Sequence, residues 1–186
     1  MMPEISLNIL DVAENSVRAG ADHITIDISA DTAADQLTVQ IIDNGCGMDA
    51  EQVAHVIDPF YTTRTTRRVG LGVPFFKLAA ELSGGNFGID SVKGEGTTVK
   101  AVFGLSNVDR MPLGDIGGTM LTLITMHEEI RFTYRFEYDG SGFDLDTAEL
   151  REVLGDDISF KEAEVSAYIS EYLSENTAEI LNGRTI

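Results

Sequence analysis

Two glycine-bearing stretches constrain this chain more than anything else in it: Asp43-Asn44-Gly45-Cys46-Gly47-Met48 and, further along, Arg68-Val69-Gly70-Leu71-Gly72-Val73. The first ends a run that reads as a strand, and the second opens a run that reads as a helix. A glycine removes the Cβ where the backbone must turn sharply or approach something closely. Amides freed at a glycine-rich helix start point outward and, helped by the helix dipole, favour an anion. Turn glycines are common, so the weight of these two depends on what the rest of the chain sets beside them.

Residues 5 to 19 form the first predicted helix. Ile9, Leu10, Ala13 and Val17 lie on one side, while Asn8, Asp11, Asn15 and Arg18 share a polar stripe, roughly 80° wide at about 100° per residue. Gly20 is the stop signal. Such a stripe is ordinarily the wet face of an amphipathic helix. An amide oxygen and a carboxylate one turn apart are equally what a hard divalent ion prefers, because Mg2+ takes one or two protein oxygens and completes its octahedron with water and phosphate.

Two strands follow. Ile24, Ile26 and Ile28 alternate with Thr25, Asp27 and Ser29, then Leu37, Val39 and Ile41 with Thr38 and Gln40, the pattern of a sheet with one packed and one wetter face. Asp43 sits at the second strand's end, beyond the alternation, where an Asx-type turn former is the bland reading. Residues 49 to 56 read as a short helix capped by Asp49. From Asp58 to Arg68 there is no periodicity, only hydroxyls and basic groups, as expected of a lid-like loop over a site. The Gly70-x-Gly72 turn then starts a helix to about Ser83, with Pro74 in its first turn, where no amide donor is needed. Phe75, Leu78, Ala79 and Leu82 are its expected apolar face, and Gly84-Gly85 end it. Alternating runs over 86 to 92 and 97 to 103 enclose a tight reversal at Gly94-Glu95-Gly96. The order α-β-β-α-α-β-β predicts an α+β fold, a two-layer α/β sandwich with helices on one face of a mixed sheet.

The net charge of −18 narrows the partners. Residues 1–104 carry 14 acidic and 7 basic side chains, net −7, and residues 105–186 carry 17 and 6, net −11. Such a surface repels nucleic acid and anionic membrane. No apolar run approaches the roughly 20 residues of a membrane span, and no basic-then-apolar leader opens the N-terminus. The single cysteine, Cys46, suits a reducing compartment, so the cytoplasm is the expected location. Against this acidity Arg64, Arg67 and Arg68 fall within five positions. They read either as a solvated loop or as positive charge placed beside the phosphate-type turn.

Residues 5 to 104 resemble the ATP-binding domain shared by gyrase B subunits, heat-shock chaperones, sensor histidine kinases and MutL mismatch-repair proteins, the GHKL superfamily with its Bergerat-type fold. The resemblance rests on blocks in the family's order. Asp11-Val12-Ala13-Glu14-Asn15-Ser16 looks like the Asn-containing helix, and Asp43 to Met48 like the adenine-binding Asp-x-Gly-x-Gly. Asp58-Pro59-Phe60-Tyr61-Thr62-Thr63 and Val69-Gly70-Leu71-Gly72-Val73 look like boxes of the histidine kinases, and Gly94-Glu95-Gly96-Thr97-Thr98 like the terminal Gly-x-Gly-Thr. The resemblance implies that Asp43 accepts from the adenine amine, that Thr97 holds the same edge, that Asn15 binds Mg2+, and that Gly70, Leu71, Gly72 and Val73 offer amides to phosphate. Gly45, Gly47, Met48, Thr62 and Thr63 are carried over as further nucleotide-contacting positions. Arg18 falls where histidine kinases often carry a basic residue facing the phosphates and MutL-like chains an acidic one, which tilts the match towards the kinases. Asp11 departs from both patterns. Hydrolysing members place a glutamate there as general base. An aspartate is one methylene shorter, so its carboxylate has either the water or the metal within reach, and reach comes before pKa for a base.

Residues 105 to 186 are expected to form a small α/β extension beyond a 1–104 ATP-binding domain. Met120, Leu121, Leu123 and Ile124 suggest a buried helix, and the alternation of Ile130, Phe132, Tyr134 and Phe136 a strand over 130 to 138, followed by a turn at Asp139-Gly140-Ser141-Gly142. Asp146 with Glu149 and Ser159 with Glu162 both fit capping boxes of two closing helices. Val165, Ile169, Tyr172 and Leu173 form a stripe on the last, for core packing or for a homodimer. His127-Glu128-Glu129-Ile130-Arg131 superficially looks like a phosphoacceptor box with one residue too many, and leads into a strand rather than a dimerising helix. His23 and His55 read as incidental polar positions. Only ten residues precede the Asn-bearing block, so a phosphoacceptor domain ahead of it is not expected. The output is left open between a phosphotransferase acting in trans on a protein, a slow ATPase, and a nucleotide-gated interaction module. All three use ATP with Mg2+ and imply a protein partner or substrate.

Overall fold

Strict alternation in the β-forming runs decides which face of the sheet is packed, and helices then cover that face. The computed structural model describes residues 4–58 and 72–186. The elements are α1 (Ile5–Arg18), β1 (His23–Asp31), β2 (Gln36–Asp43), α2 (Ala50–Val56), α3 (Gly72–Leu82), β3 (Asn86–Val92), β4 (Gly96–Gly104), α4 (Ile116–Met126), β5 (Arg131–Tyr138), β6 (Ser141–Asp146), α5 (Thr147–Leu154) and α6 (Ala163–Leu181). The six strands form one sheet in the order β3-β4-β2-β1-β5-β6. Every neighbouring pair is antiparallel except β1 and β5, which run parallel, so the sheet is mixed as expected.

The register lines the apolar positions up across the strands. Val99 pairs with Ile41, Ile41 with Ile26, Ile26 with Tyr134 and Tyr134 with Leu145, a continuous buried row. Against this face pack Ile9, Val12 and Ala13 of α1, Phe76 and Ala80 of α3, Met120 and Leu123 of α4, and Ile169 and Leu173 of α6, all in one hydrophobic core. The stripe on α6 is therefore core-facing. β5 and β6 extend the same sheet that β1 to β4 build, and no helix among the described residues is long and apolar enough to cross a membrane.

Four local expectations need correction. The buried side of α3 is Val73, Phe76, Ala79 and Ala80, while Leu78 and Leu82 are 40% and 50% exposed. Two adjacent phenylalanines, Phe75 and Phe76, allow either phase of the helix, and the packing against Phe87 and Phe103 selects Phe76. Asn8 keeps its place on the α1 stripe by spacing but is fully buried, its amide nitrogen donating to Glu4 O at 3.2 Å. The turn after β5 is shorter than expected, because Ser141 and Gly142 already pair with Tyr138 and Glu137 in β6. Ser159 does not cap a helix. Its hydroxyl donates to Glu128 Oε1 at 2.7 Å, and α6 begins only at Ala163. Glu128 also accepts from Phe160 N and Arg151, and these charge-assisted bonds outweigh one neutral cap. The hydroxyl of Ser159 is the main reason the Glu128 carboxyl lies below its usual range.

Tyr134 has no exposed surface, and its hydroxyl has no hydrogen-bond partner among the described residues; burial pushes the phenol's pKa up. An unpaired buried hydroxyl costs free energy that a phenylalanine does not. Tyr134→Phe is expected to raise the unfolding free energy by about 1 kcal/mol in urea titrations. A loss of similar size would mean that the hydroxyl is paired.

Candidate functional site

Seven of the expected site positions gather at one end of the sheet, where α1 and β2 end and β4 begins. A cavity of about 620 Å³ opens there. Asn15 and Arg18 of α1, Asp43, Gly47 and Met48 of the glycine turn, Val73 of α3 and Thr97 of β4 all line it. Apolar side chains (Val12, Val56, Ile89 and Val99 among them) form walls suited to a flat, mostly apolar ring, with a few polar groups to orient it.

Asp43 is the fixed polar point. Its Oδ2 accepts from Ser16 Oγ at 2.6 Å and its Oδ1 from Gly45 N at 2.9 Å. Each carboxylate oxygen keeps further acceptor capacity, so the group is oriented and still able to accept from a ligand. Thr97 is the cross-strand partner of Asp43, and its hydroxyl lies 2.8 Å from Ser91 Oγ, which in turn accepts from Met48 N at 2.8 Å. The glycine turn is clamped beneath the β3–β4 hairpin by Gly94 N donating to Cys46 O at 2.7 Å. This clamp explains two of the glycines. Gly47 has φ +63°, and a Cβ there would lie 2.0 Å from Val92 O; Gly96 has φ +134°, and its Cβ would lie 2.0 Å from Asp43 O.

On the α1 wall of the cavity Arg18 Nη1 donates to Asn15 Oδ1 at 2.8 Å. Asp11 does not line the cavity. It stands against the start of α3, where a Cβ on Gly72 would come within 2.9 Å of Asp11 Oδ2. Gly45 and Gly72 also stay behind the cavity surface. Thr62, Thr63, Gly70 and Leu71, with Arg64, Arg67, Arg68 and the lid reading, lie outside the described residues. No cluster of three or more His, Cys, Asp or Glu side chains that could hold a metal occurs among the described residues. The donor set is one amide oxygen on the cavity wall and one carboxylate a turn away. That set does not suit a protein-enclosed ion, but it fits Mg2+, which keeps most of its shell as water and phosphate oxygens.

Sequence reasoning missed several residues here. Ser16 orients Asp43 across 27 positions of chain, and Ser91 orients Thr97, yet neither belongs to a glycine block. Ser16 follows Asn15 directly, on the edge of α1 that turns into the core; Ser91 carries no comparable signal. His23 is not without a partner, since its Nε2 lies 2.9 Å from Thr133 Oγ1. His127 closes α4 just ahead of β5, with Nε2 2.7 Å from Glu14 Oε1.

Residues 4–107 match the family model described as histidine kinase-, DNA gyrase B-, and HSP90-like ATPase. The chain is 32% identical over 82 residues to the sensor histidine kinase WalK of Bacillus subtilis, covering 41% of this chain and 13% of that protein. It is 45% identical over 56 residues to the DNA mismatch repair protein MutL of Chlorobaculum tepidum, covering 30% of this chain and 8% of that protein. The chain thus spans a small part of the length of these relatives. Among solved structures, the Aquifex aeolicus MutL ATPase domain complexed with ADP superposes with a TM-score of 0.51 at 16% identity, over 82% of this chain and 69% of that one, a likeness of fold.

Gly47→Ala is expected to cost about 2–4 kcal/mol, since both the positive φ and the contact with Val92 O oppose a Cβ. In calorimetry this should lower Tm by roughly 5–15 °C. Gly88→Ala, with nothing within 4 Å of the added Cβ, should leave Tm nearly unchanged. Equal effects at the two positions would contradict the clamp.

Proposed function

Because the chain belongs to the histidine kinase-, DNA gyrase B- and HSP90-like ATPase family, we propose that it binds ATP with Mg2+ in this cavity and acts as a regulatory ATPase or as a protein kinase acting in trans. One observation carries the reading: Asp43 and Asn15, separated in sequence, line one cavity together with apolar side chains. Asp43 takes the adenine amine, with its carboxylate held in register by Ser16 and Gly45. Thr97 takes the same edge of the base. Asn15 would hold Mg2+ through its amide oxygen, with water and phosphate oxygens completing the shell. When bound, the ion neutralises charge on the phosphates and polarises them. Arg18, on the cavity wall beside Asn15, turns its guanidinium to a phosphate. The start of α3 offers its free amides to the same anion. Asp11, standing against that helix start, is the candidate base for a water or an acceptor hydroxyl.

Asp43→Asn should weaken ATP binding roughly 30- to 100-fold in calorimetry, the loss expected when a charged acceptor facing a donor is replaced by an amide. The variant should keep the wild-type far-UV CD spectrum. Equal affinity in the folded variant would refute the site assignment. Output is separated by incubation with γ-labelled ATP, alone and in cell extract. Free phosphate that disappears in Asp11→Ala marks turnover with that carboxylate as base, whereas label on a second protein marks phosphotransfer. Binding with neither product would leave a nucleotide-gated interaction module.

A further inference from the structure

Two acceptors on α1 compete for Arg18. Asn15 stands three residues back and holds the guanidinium at 2.8 Å. Glu14 stands four residues back, and an acid four positions ahead of a base is the best-placed ion pair a helix offers. A carboxylate is also the stronger acceptor for a guanidinium. Arg18 nevertheless bonds to the amide, while Glu14 turns to another partner: its Oε1 lies 2.7 Å from Nε2 of His127. His127 comes from outside the segment that matches the family, which ends at residue 107. It is held in place at the end of α4, its amide donating to Leu123 O at 3.1 Å and its carbonyl accepting from Ile130 N at 3.0 Å. Its side chain is 16% exposed, and the adjacent Glu128 is tied to Ser159 and Phe160 ahead of α6.

We propose that His127 is a positioning residue for the nucleotide site: by holding Glu14 it denies Arg18 a carboxylate on its own helix, so that the guanidinium, on leaving Asn15, has the triphosphate as its partner. The same bond keeps the Glu14 carboxylate from swinging along α1 towards the phosphates, where like charge would oppose them. The inference rests on the reading that ATP occupies the cavity with its phosphates at Arg18. It gives the segment after the family match a direct part in the site.

The test uses the full chain with Mg2+, measuring ATP binding by calorimetry and adenosine binding by NMR titration in wild type, His127→Ala, His127→Gln and the double variant His127→Ala/Glu14→Gln. His127→Ala should bind ATP about tenfold more weakly, the worth of one charge-assisted hydrogen bond. Adenosine binding should not change, because that ligand has no phosphate for Arg18. Adding Glu14→Gln should restore ATP affinity to within about twofold of wild type, since the competing carboxylate is gone. His127→Gln, whose amide still donates to Glu14, should stay close to wild type. The inference is overturned if His127→Ala binds ATP like wild type, if it loses ATP and adenosine in parallel, or if Glu14→Gln fails to rescue it. A wild-type chain that binds neither ligand overturns the nucleotide reading as well; one that binds ATP and is insensitive to His127→Ala overturns this inference alone.

Discussion

The hydroxyl of Ser16 donating to the carboxylate of Asp43 at 2.6 Å ties the end of α1 to the end of β2, and the site is arranged around that contact. It joins two elements that both line the cavity, and together with Gly45 N on the other oxygen it fixes the orientation of an anionic acceptor. A carboxylate kept inside an apolar cavity needs hydrogen bonds to remain there. Ser16 and Gly45 supply them without using all of its acceptor capacity. The remaining acceptor capacity is what a ligand donor would meet. The glycines of the turn follow from the same requirement, since the chain must reverse within van der Waals contact of Ala19 on one side and Val92 on the other.

Helix α1 is the shared element of the molecule. It lies between α3 and α4, and its polar side meets both: Asp11 stands against the start of α3, and Glu14 against His127 at the end of α4. Asn15 and Arg18, bonded to each other, belong to the same polar side of the helix. The position of α1 thus depends on the family-type segment through α3 and on the later segment through α4. The parallel pairing of β5 with β1 locks that later segment to the strand following α1.

Much of this was legible in the sequence, and the limits follow from distance along the chain. Alternation in Ile24 to Ser29 and Leu37 to Ile41 is a local signal, and it placed strands and packed face together. The glycines at 47, 94 and 96 marked sharp turns, and the backbone at all three has positive φ. Asp49 capped α2 as expected, with Gln52 completing the box. What could not be read were pairings between distant residues. Ser16 with Asp43 spans 27 positions and His127 with Glu14 spans 113, and no spacing rule links them. The phase of α3 was ambiguous for a different reason: Phe75 and Phe76 are adjacent, so only the aromatic partners in β3 and β4 decide which is buried. Ser159 carried a valid capping signal and lost it to a distant carboxylate. β6 was readable in the alternation of Phe143 and Leu145 with Asp144 and Asp146, but the preceding glycines drew the segment into a turn.

The central claim is that the Asp43 carboxylate reads a donor on the edge of a purine. It is tested most directly by comparing ATP with inosine triphosphate, in which a carbonyl acceptor replaces the exocyclic amine and N1 carries a proton, so that the hydrogen-bonding pattern of that edge is inverted. An acceptor facing an acceptor loses the hydrogen bond and adds repulsion, so inosine triphosphate should bind at least about 30-fold more weakly than ATP in competition calorimetry. Equal affinities for the two nucleotides would contradict the account.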